Sequence, residues 1–286
     1  MNATFILARM TFREAIRRKI VLTALVLGVC FLVVYSIGFH MITADIHNFA
    51  NRSTQGNPAV TSVASSEGIN ALTLAGLYAV TFLSIAMAAL LGADTLAGEI
   101  GSGTIQSIVT KPIRRRDVVL GKWLGFAELL GMYSILMSGG TILSVVVQSG
   151  YTPPNFLIGI LLIYFESLLI MTLSLMCSST FSALATGGVV FGLYGMAFIG
   201  GWVEQFGSLL QNQTAIDVGI ISSLIIPSEA LWRRAAYEMQ SPISGVLGMS
   251  PFGTISVPST LMVVYAVVYL AGALFLAVKI FQNRDL

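Results

Sequence analysis

The chain alternates long apolar windows with shorter polar ones. Six of the apolar windows are long enough to cross a hydrocarbon core, which takes roughly 20 helical residues. They fall near residues 20–41, 71–93, 119–147, 156–178, 183–203 and 258–281. The third exceeds what a crossing needs, so its first turns, with Lys122, belong at the interface. The polar intervals differ in kind. Residues 42–70, rich in Ser, Asn, Thr and Gly, predict a solvated loop with little structure of its own. The interval 204–257 is too apolar for a loop. Its run 220–226 is too short to span and suits re-entry or packing against other spans. After Pro227, residues Leu231, Trp232, Ala235, Ala236 and Met239 share one helical face, while Arg233, Arg234, Glu238 and Gln240 face away. This pattern predicts a helix on the outer membrane surface with Trp232 at headgroup depth. At the N-terminus Phe5, Ala8, Phe12, Ala15 and Ile16 gather on one face and Arg9, Arg13 and Arg17 on another, which predicts an amphipathic helix in the interface.

Composition turns these windows into a fold class. Only 10% of residues are charged and 56% are apolar, with a mean hydropathy of +0.86. Soluble domains carry about a quarter charged residues. The chain is therefore read as an all-α membrane protein of six transmembrane helices, forming a single transmembrane domain over 1–286. The first window follows Arg17, Arg18 and Lys19, as in a signal peptide, but it exceeds the roughly 7–15 apolar residues of such a segment and no small-residue cleavage site follows, so it stays a span. Cys30 and Cys177 fall in different spans, and neither a disulfide framework nor a metal site is expected from them.

A net charge of +2 suggests no nucleic-acid partner, and the informative quantity is where the 15 basic residues lie. Arg9, Arg13, Arg17, Arg18 and Lys19 precede the first span. Lys111, Arg114, Arg115, Arg116 and Lys122 lie between the second and third, and Lys279 and Arg284 close the chain. Only Arg52, Arg233 and Arg234 fall opposite. The excess of positive charge on the cytoplasmic side predicts cytoplasmic termini and a cytoplasmic central loop, in the plasma or inner membrane.

That central loop, 92–122, is the longest polar run between two strongly apolar stretches. It holds Glu99, glycines at 98, 101 and 103, a short apolar turn with Ile105, Ile108 and Val109, then Pro112 and three arginines. Pro112 disfavours helical geometry at Lys111, and Asp117 can cap the following helix, so the pattern predicts a separate short surface helix between two spans. At these residues the chain resembles the permease subunits of ABC-2-type transporters. The resemblance is carried by Glu99, Gly103, Thr104, Pro112, Arg114, Arg115, Arg116, Gly121 and Lys122, and by the span count. Within that family it looks most like the small bacterial permeases of the sodium-export and nitrous-oxide-reductase maturation type. The resemblance implies a coupling helix in this loop, with Glu99 and the 105–109 turn entering a cleft of a cytoplasmic ABC ATPase present in two copies. It also implies a second permease subunit, a homodimer in preference to a heterodimer, and short re-entrant helices between the last two spans. An extracytoplasmic accessory protein is a further admissible partner. The same arginines also suit anionic lipid headgroups, at about 1 kcal/mol each.

Chemistry of its own is not apparent in the sequence. A phosphate-binding loop would need a glycine where Arg116 stands and a Ser or Thr where Trp123 stands, and neither metal-protease nor serine-hydrolase motifs occur. Catalytic residues and bound cofactors are therefore not expected; ATP and Mg would belong to the partner ATPase. Glu128 and Glu166 lie inside the third and fourth windows, where a carboxylate is costly and faces an interior, a cavity or a partner group. Two readings stand side by side: a transport path or proton-linked role, and a hydrogen-bonded glutamate tying spans or subunits together. If the former worked without ATP, the protein would be a secondary transporter or channel instead. Glycines at 187, 188, 192, 195, 200 and 201 permit close helix approach, within the subunit or across a dimer.

Overall fold

A computed structural model describes residues 3–53, 58–101, 114–241, 252–254 and 256–283. Among these residues the secondary structure is helical. The order is α1 (Ala3–Ile16), α2 (Lys19–Ser53), α3 (Pro58–Gly101), α4 (Arg115–Ser149), α5 (Phe156–Ser178), α6 (Ala183–Leu209), α7 (Gln213–Ile225), α8 (Ser228–Met239) and α9 (Thr260–Gln282). Six stretches are long and apolar enough to span: Lys19–Thr43, Thr61–Thr95, Arg115–Ser149, Phe156–Ser178, Ala183–Leu209 and Thr260–Gln282. The fourth has the bounds expected from the apolar pattern.

The interval 42–70 is where expectation and structure part. Within the described residues it is the C-terminal end of α2 and the beginning of α3. Once a helix is nucleated, each further residue adds a hydrogen bond, and Ser, Thr and Asn cost only a few tenths of a kcal/mol each. Their hydroxyls also fold back onto the preceding turn: Thr43 Oγ1 donates to the His40 carbonyl at 2.9 Å, Ser65 to Ser62 at 3.1 Å and Ser66 to Val63 at 2.9 Å. Tertiary contacts then hold the start of α3, where Glu67 and Asn70 are buried.

The spans are not equivalent. In Thr61–Thr95 and Phe156–Ser178, 61% of the most apolar window is buried, against 11% in Lys19–Thr43 and 17% in Thr260–Gln282. So α3 and α5 form the centre, packed along each other, and α2 and α9 present most of their surface outward. The reason lies in small polar residues within the apolar runs. Thr73, Thr81, Ser167, Thr172 and Ser174 are fully buried. Four of them return a hydroxyl to their own helix, at 2.7 Å (Thr73 to Ile69), 3.0 Å (Thr81 to Leu77), 3.0 Å (Ser167 to Ile163) and 2.7 Å (Thr172 to Leu168). Ser174 instead crosses from α5 to the Ala89 carbonyl of α3 at 2.6 Å. In lipid there is no gain in hiding leucine from hydrocarbon, so helices bury the faces with small and polar groups.

Two further elements position the candidate sites. Helix α1 lies along the start of α4, where Gly121 and Gly125 leave a groove. A Cβ at Gly121 would stand 2.6 Å from the Leu7 Cβ, and one at Gly125 2.6 Å from the Ala8 carbonyl oxygen. Ala8 and Ala15 face the bundle, whereas Phe5, Ile6, Met10 and Ile16 are exposed. The protein-facing stripe is thus rotated from the expected face of Phe5, Ala8, Phe12, Ala15 and Ile16. Helices α7 and α8 pass the span test together but are bent by 107° at their junction. The first returns along α6, capped at Asn212, whose side chain accepts from the Ala215 amide at 3.2 Å. The second rises from Pro227 between α5 and α6.

Helix α8 is where the amphipathic reading fails. It was expected on the outer surface, with Trp232 among headgroups and Arg233, Arg234 and Gln240 facing away. Instead Trp232 is 1% exposed and Arg233 2%, and Gln240 is buried as well. The helix is one arm of a bent pair consistent with a re-entrant element, and it is buried over most of its surface, with Tyr237 left exposed. Its arginines could be taken in because carboxylates wait for them.

Candidate functional site

Two polar regions stand out from the apolar bundle. One is the rim at which α1, α2, α3, α4 and α9 meet. There Arg18 bridges α1 and α3, donating to Glu14 at 2.8 Å and to Asp94 at 3.1 Å. Thr4 Oγ1 donates to Asp117 Oδ1 at 3.4 Å, and Arg116 Nε lies 3.7 Å from the same oxygen. Arg115 Nη1 donates to the Gln282 carbonyl at the end of α9, at 3.3 Å. Asp117, expected as the helix cap, sits instead in the first turn of α4; Arg114 takes the cap position with an extended backbone and no side-chain cap bond. Arg114 and Arg116 are exposed.

Of the residues expected to form the coupling element, Gly103, Thr104, Ile105, Ile108 and Pro112 lie outside the described residues, as does the expected short helix. Glu99 belongs to the last turn of α3. The segment 102–113 therefore connects the end of α3 to the start of α4, both of which are knitted into this rim.

The other region is a polar seam inside the bundle, running from α5 through α8 to α6. Glu166, near the middle of α5, is fully buried. Glu229, in the first turn of α8, is 2% exposed. Its Oε1 accepts from the Tyr78 hydroxyl of α3 at 3.3 Å, and that hydroxyl accepts from Trp202 Nε1 of α6 at 3.1 Å. One turn further along α8, Arg233 grips both oxygens of Glu204 on α6, at 2.5 Å and 2.8 Å, and its Nη2 also reaches Ser223 Oγ at 3.3 Å. Ser256 Oγ donates to Glu204 Oε1 at 2.7 Å. Helix α8 fits so closely because Gly201 and Gly159 stand where its side chains pass. A Cβ at Gly201 would lie 3.1 Å from Glu229 Cδ, and one at Gly159 2.6 Å from Met239 Cγ.

The far end of α8 is tied down as well. Asn70 donates to Tyr151 at 2.7 Å and to the Met239 carbonyl at 3.1 Å, while Arg234 pairs with Glu238 at 2.6 Å. Tyr78 lies eight residues beyond Asn70 on α3, about 12 Å along the axis. Glu229 is therefore the deep end of α8 and Met239 the shallow one.

Glu128 and Glu166 are not brought together. Glu128 is exposed on α4, in a groove of about 460 Å³ shared with Leu157 and Tyr164 of α5. Glu166 thus faces the interior, while Glu128 lines a groove between α4 and α5. Glu204, Glu229 and Tyr78 escaped the sequence reading. A signal was available in Arg233 and Arg234, two charges within a stretch otherwise too apolar for a loop, which call for buried counter-charges nearby.

The chain matches, over residues 5–286, the family described as ABC-2 family transporter protein. It belongs to that family, and nearly its whole length is the membrane-embedded permease. No curated protein matches it. Permeases of this family are transport subunits, not catalysts. Among the described residues, no group of three or more His, Cys, Asp or Glu side chains is placed to hold a metal ion.

Proposed function

We propose that this permease is driven from outside itself, by a cytoplasmic ABC ATPase that docks on the 102–113 segment and binds the ATP and Mg. The chain works as one transmembrane domain, paired with a second copy of itself and two ATPase subunits in the inner membrane. Its termini and the α3–α4 connection face the cytoplasm, as the distribution of Lys and Arg requires. Helix α1 then lies in the inner interface, with exposed Phe5, Ile6 and Met10 toward lipid and Arg9, Arg13 and Arg17 toward headgroups.

The observation that carries this reading is the rim. Through Arg18, Asp117 and Arg115 the ends of α3 and α4 are joined to α1, α2 and α9, so a push on the segment between them reaches five helices at once. Glu99, Gly103, Thr104, Ile105, Ile108 and Pro112, with Arg114, Arg115 and Arg116, are assigned to the docking element. The second copy is supported by α6: nothing among the described residues lies within 4 Å of a Cβ placed at Gly187, Gly188, Gly192 or Gly195. That face is open to close approach by another helix. Within the family, the sequence pattern at 92–122 favours the small bacterial exporters and maturation permeases named above.

Coexpression with the ATPase encoded beside it tests the reading. Glu99→Ala combined with alanine at 114, 115 and 116 is expected to lose the complex in a pull-down, or to keep it with a lowered ATPase rate. Complex formation and ATPase rate both unchanged would remove the basis for docking at this loop.

A further inference from the structure

The polar seam has a charge imbalance that its own side chains do not cure. Arg233 and Glu204 cancel each other. Glu229, one turn away on α8, also feels Arg233, but this single cation faces three enclosed carboxyls, Glu204, Glu229 and Glu166. Neither oxygen of Glu166 has a hydrogen-bond donor, and Oε2 of Glu229 has none either. Measured from the contact of Gly159 with Met239, Glu166 lies about 10 Å along α5 and Glu229 about 15 Å along α8, so the two carboxyls stand within about one turn of the same level. Two bare carboxylates sharing an interior with no donor would each cost several kcal/mol in lost solvation, with mutual repulsion added.

Other charged groups near α5 do not relieve this. On α8, Arg233 acts on Glu229 but is bound to both oxygens of Glu204, and Tyr78 and Tyr194 lie on the α3 and α6 sides. From α4, Lys122 is buried with an interaction of its own, and the charge acting on Glu166 is that of Glu229. From α9, Tyr269 interacts with Cys177, about 16 Å along the axis from Glu166.

We propose that Glu166 and Glu229 form an intramembrane proton-binding site, the protons sitting on carboxyl oxygens that no donor of the protein reaches. Tyr78 continues the site toward Trp202. Because Glu166 belongs to the central span and Glu229 to the deep end of the re-entrant helix, the occupancy of this site sets the repulsion between them. A loaded site holds α8 seated between α5 and α6; an empty one drives its deep end away. The proposal is independent of ATPase docking and is tested on the chain alone, so either idea can fail without the other.

The full-length chain in lipid nanodiscs is examined by infrared spectroscopy over a pH series, in choline chloride, alongside Glu166→Gln and Glu229→Gln. At neutral pH the wild type is expected to show a deuterium-sensitive C=O band of a protonated carboxyl. Glu166→Gln is expected to lose most of that band. Glu229→Gln should lose its own component and move the pH at which the remainder titrates. If Glu166→Gln does not fold, the second variant still decides: a band of unchanged intensity and midpoint in Glu229→Gln overturns the site. So does a band unaffected by Glu166→Gln. Replacing choline by sodium at fixed pH is expected to leave the band in place; its disappearance would mean a metal-cation site and would overturn the assignment to protons.

Discussion

Helices α1 and α8 have the same outward signature: a short amphipathic stretch with two or more arginines opposite an apolar face. Their fates are opposite. In α1 the arginines stay outside, Phe5 is 65% exposed, and only a narrow stripe around Ala8 and Ala15 touches the bundle. In α8 most of the surface is enclosed, Tyr237 excepted, and Arg233 is 2% exposed. The difference comes from what the neighbours offer. The groove under α1, at Gly121 and Gly125, is shaped for backbone, and the carboxylate beside it, Asp117, meets Thr4 while Arg9 and Arg13 stay exposed. The slot for α8, between Gly159 and Gly201, has Glu204 on its wall. An amphipathic pattern therefore reports that a helix has two faces, not that one of them meets water or headgroups.

Mutations can break that contrast, beginning with the enclosed helix. Trp232→Ala removes a fully buried side chain and is expected to cost about 3–5 kcal/mol, seen as a large drop in the thermal midpoint of the detergent-solubilised protein. Arg233→Ala strands the Glu204 carboxylate and should cost a similar amount, about 3–5 kcal/mol. Replacing both partners by apolar residues of similar volume should recover most of the loss. If the double variant is no better than the single one, the pair is not what admits α8.

Smaller effects are expected at α1. Gly125→Val would press a side chain into the Ala8 carbonyl and Thr11 and cost about 1–3 kcal/mol, with α1 becoming sensitive to protease in a cleavage time course. Arg18→Ala removes the partly exposed links to Glu14 and Asp94 and should cost no more than about 1 kcal/mol. Phe5→Ala should change stability by less than about 0.5 kcal/mol. A loss at Phe5 as large as that at Trp232 would mean that the two helices are not distinguished by burial after all.

A second contrast runs through the spans. The windows that became α2 and α3 both read as apolar crossings, yet one is peripheral and the other central. The clue was present in Asn70, Thr73, Thr81 and Ser84, all fully buried on α3. In a bilayer such residues mark the protein-facing side, because lipid cannot satisfy them. Counting apolar residues located the crossings without ranking them.

By itself the sequence determined what short-range rules govern. The length and polarity of each apolar run set six crossings, and the fourth agrees at both ends. The run 220–226 announced that the interval before the last span was no ordinary loop, and the polar interval at 92–122 contains the connection between α3 and α4. Tertiary structure alone decided which faces meet. That Arg233 finds Glu204, 29 residues earlier, that Glu166 and Glu229 are both enclosed in the bundle, and that Glu128 is exposed in a groove all depend on helix rotations. Those rotations are set by contacts between segments far apart in the chain: the periodicity of one helix fixes the relative angles of its own side chains but not the direction in which the set points. Packing against glycine notches and distant carboxylates supplies that direction.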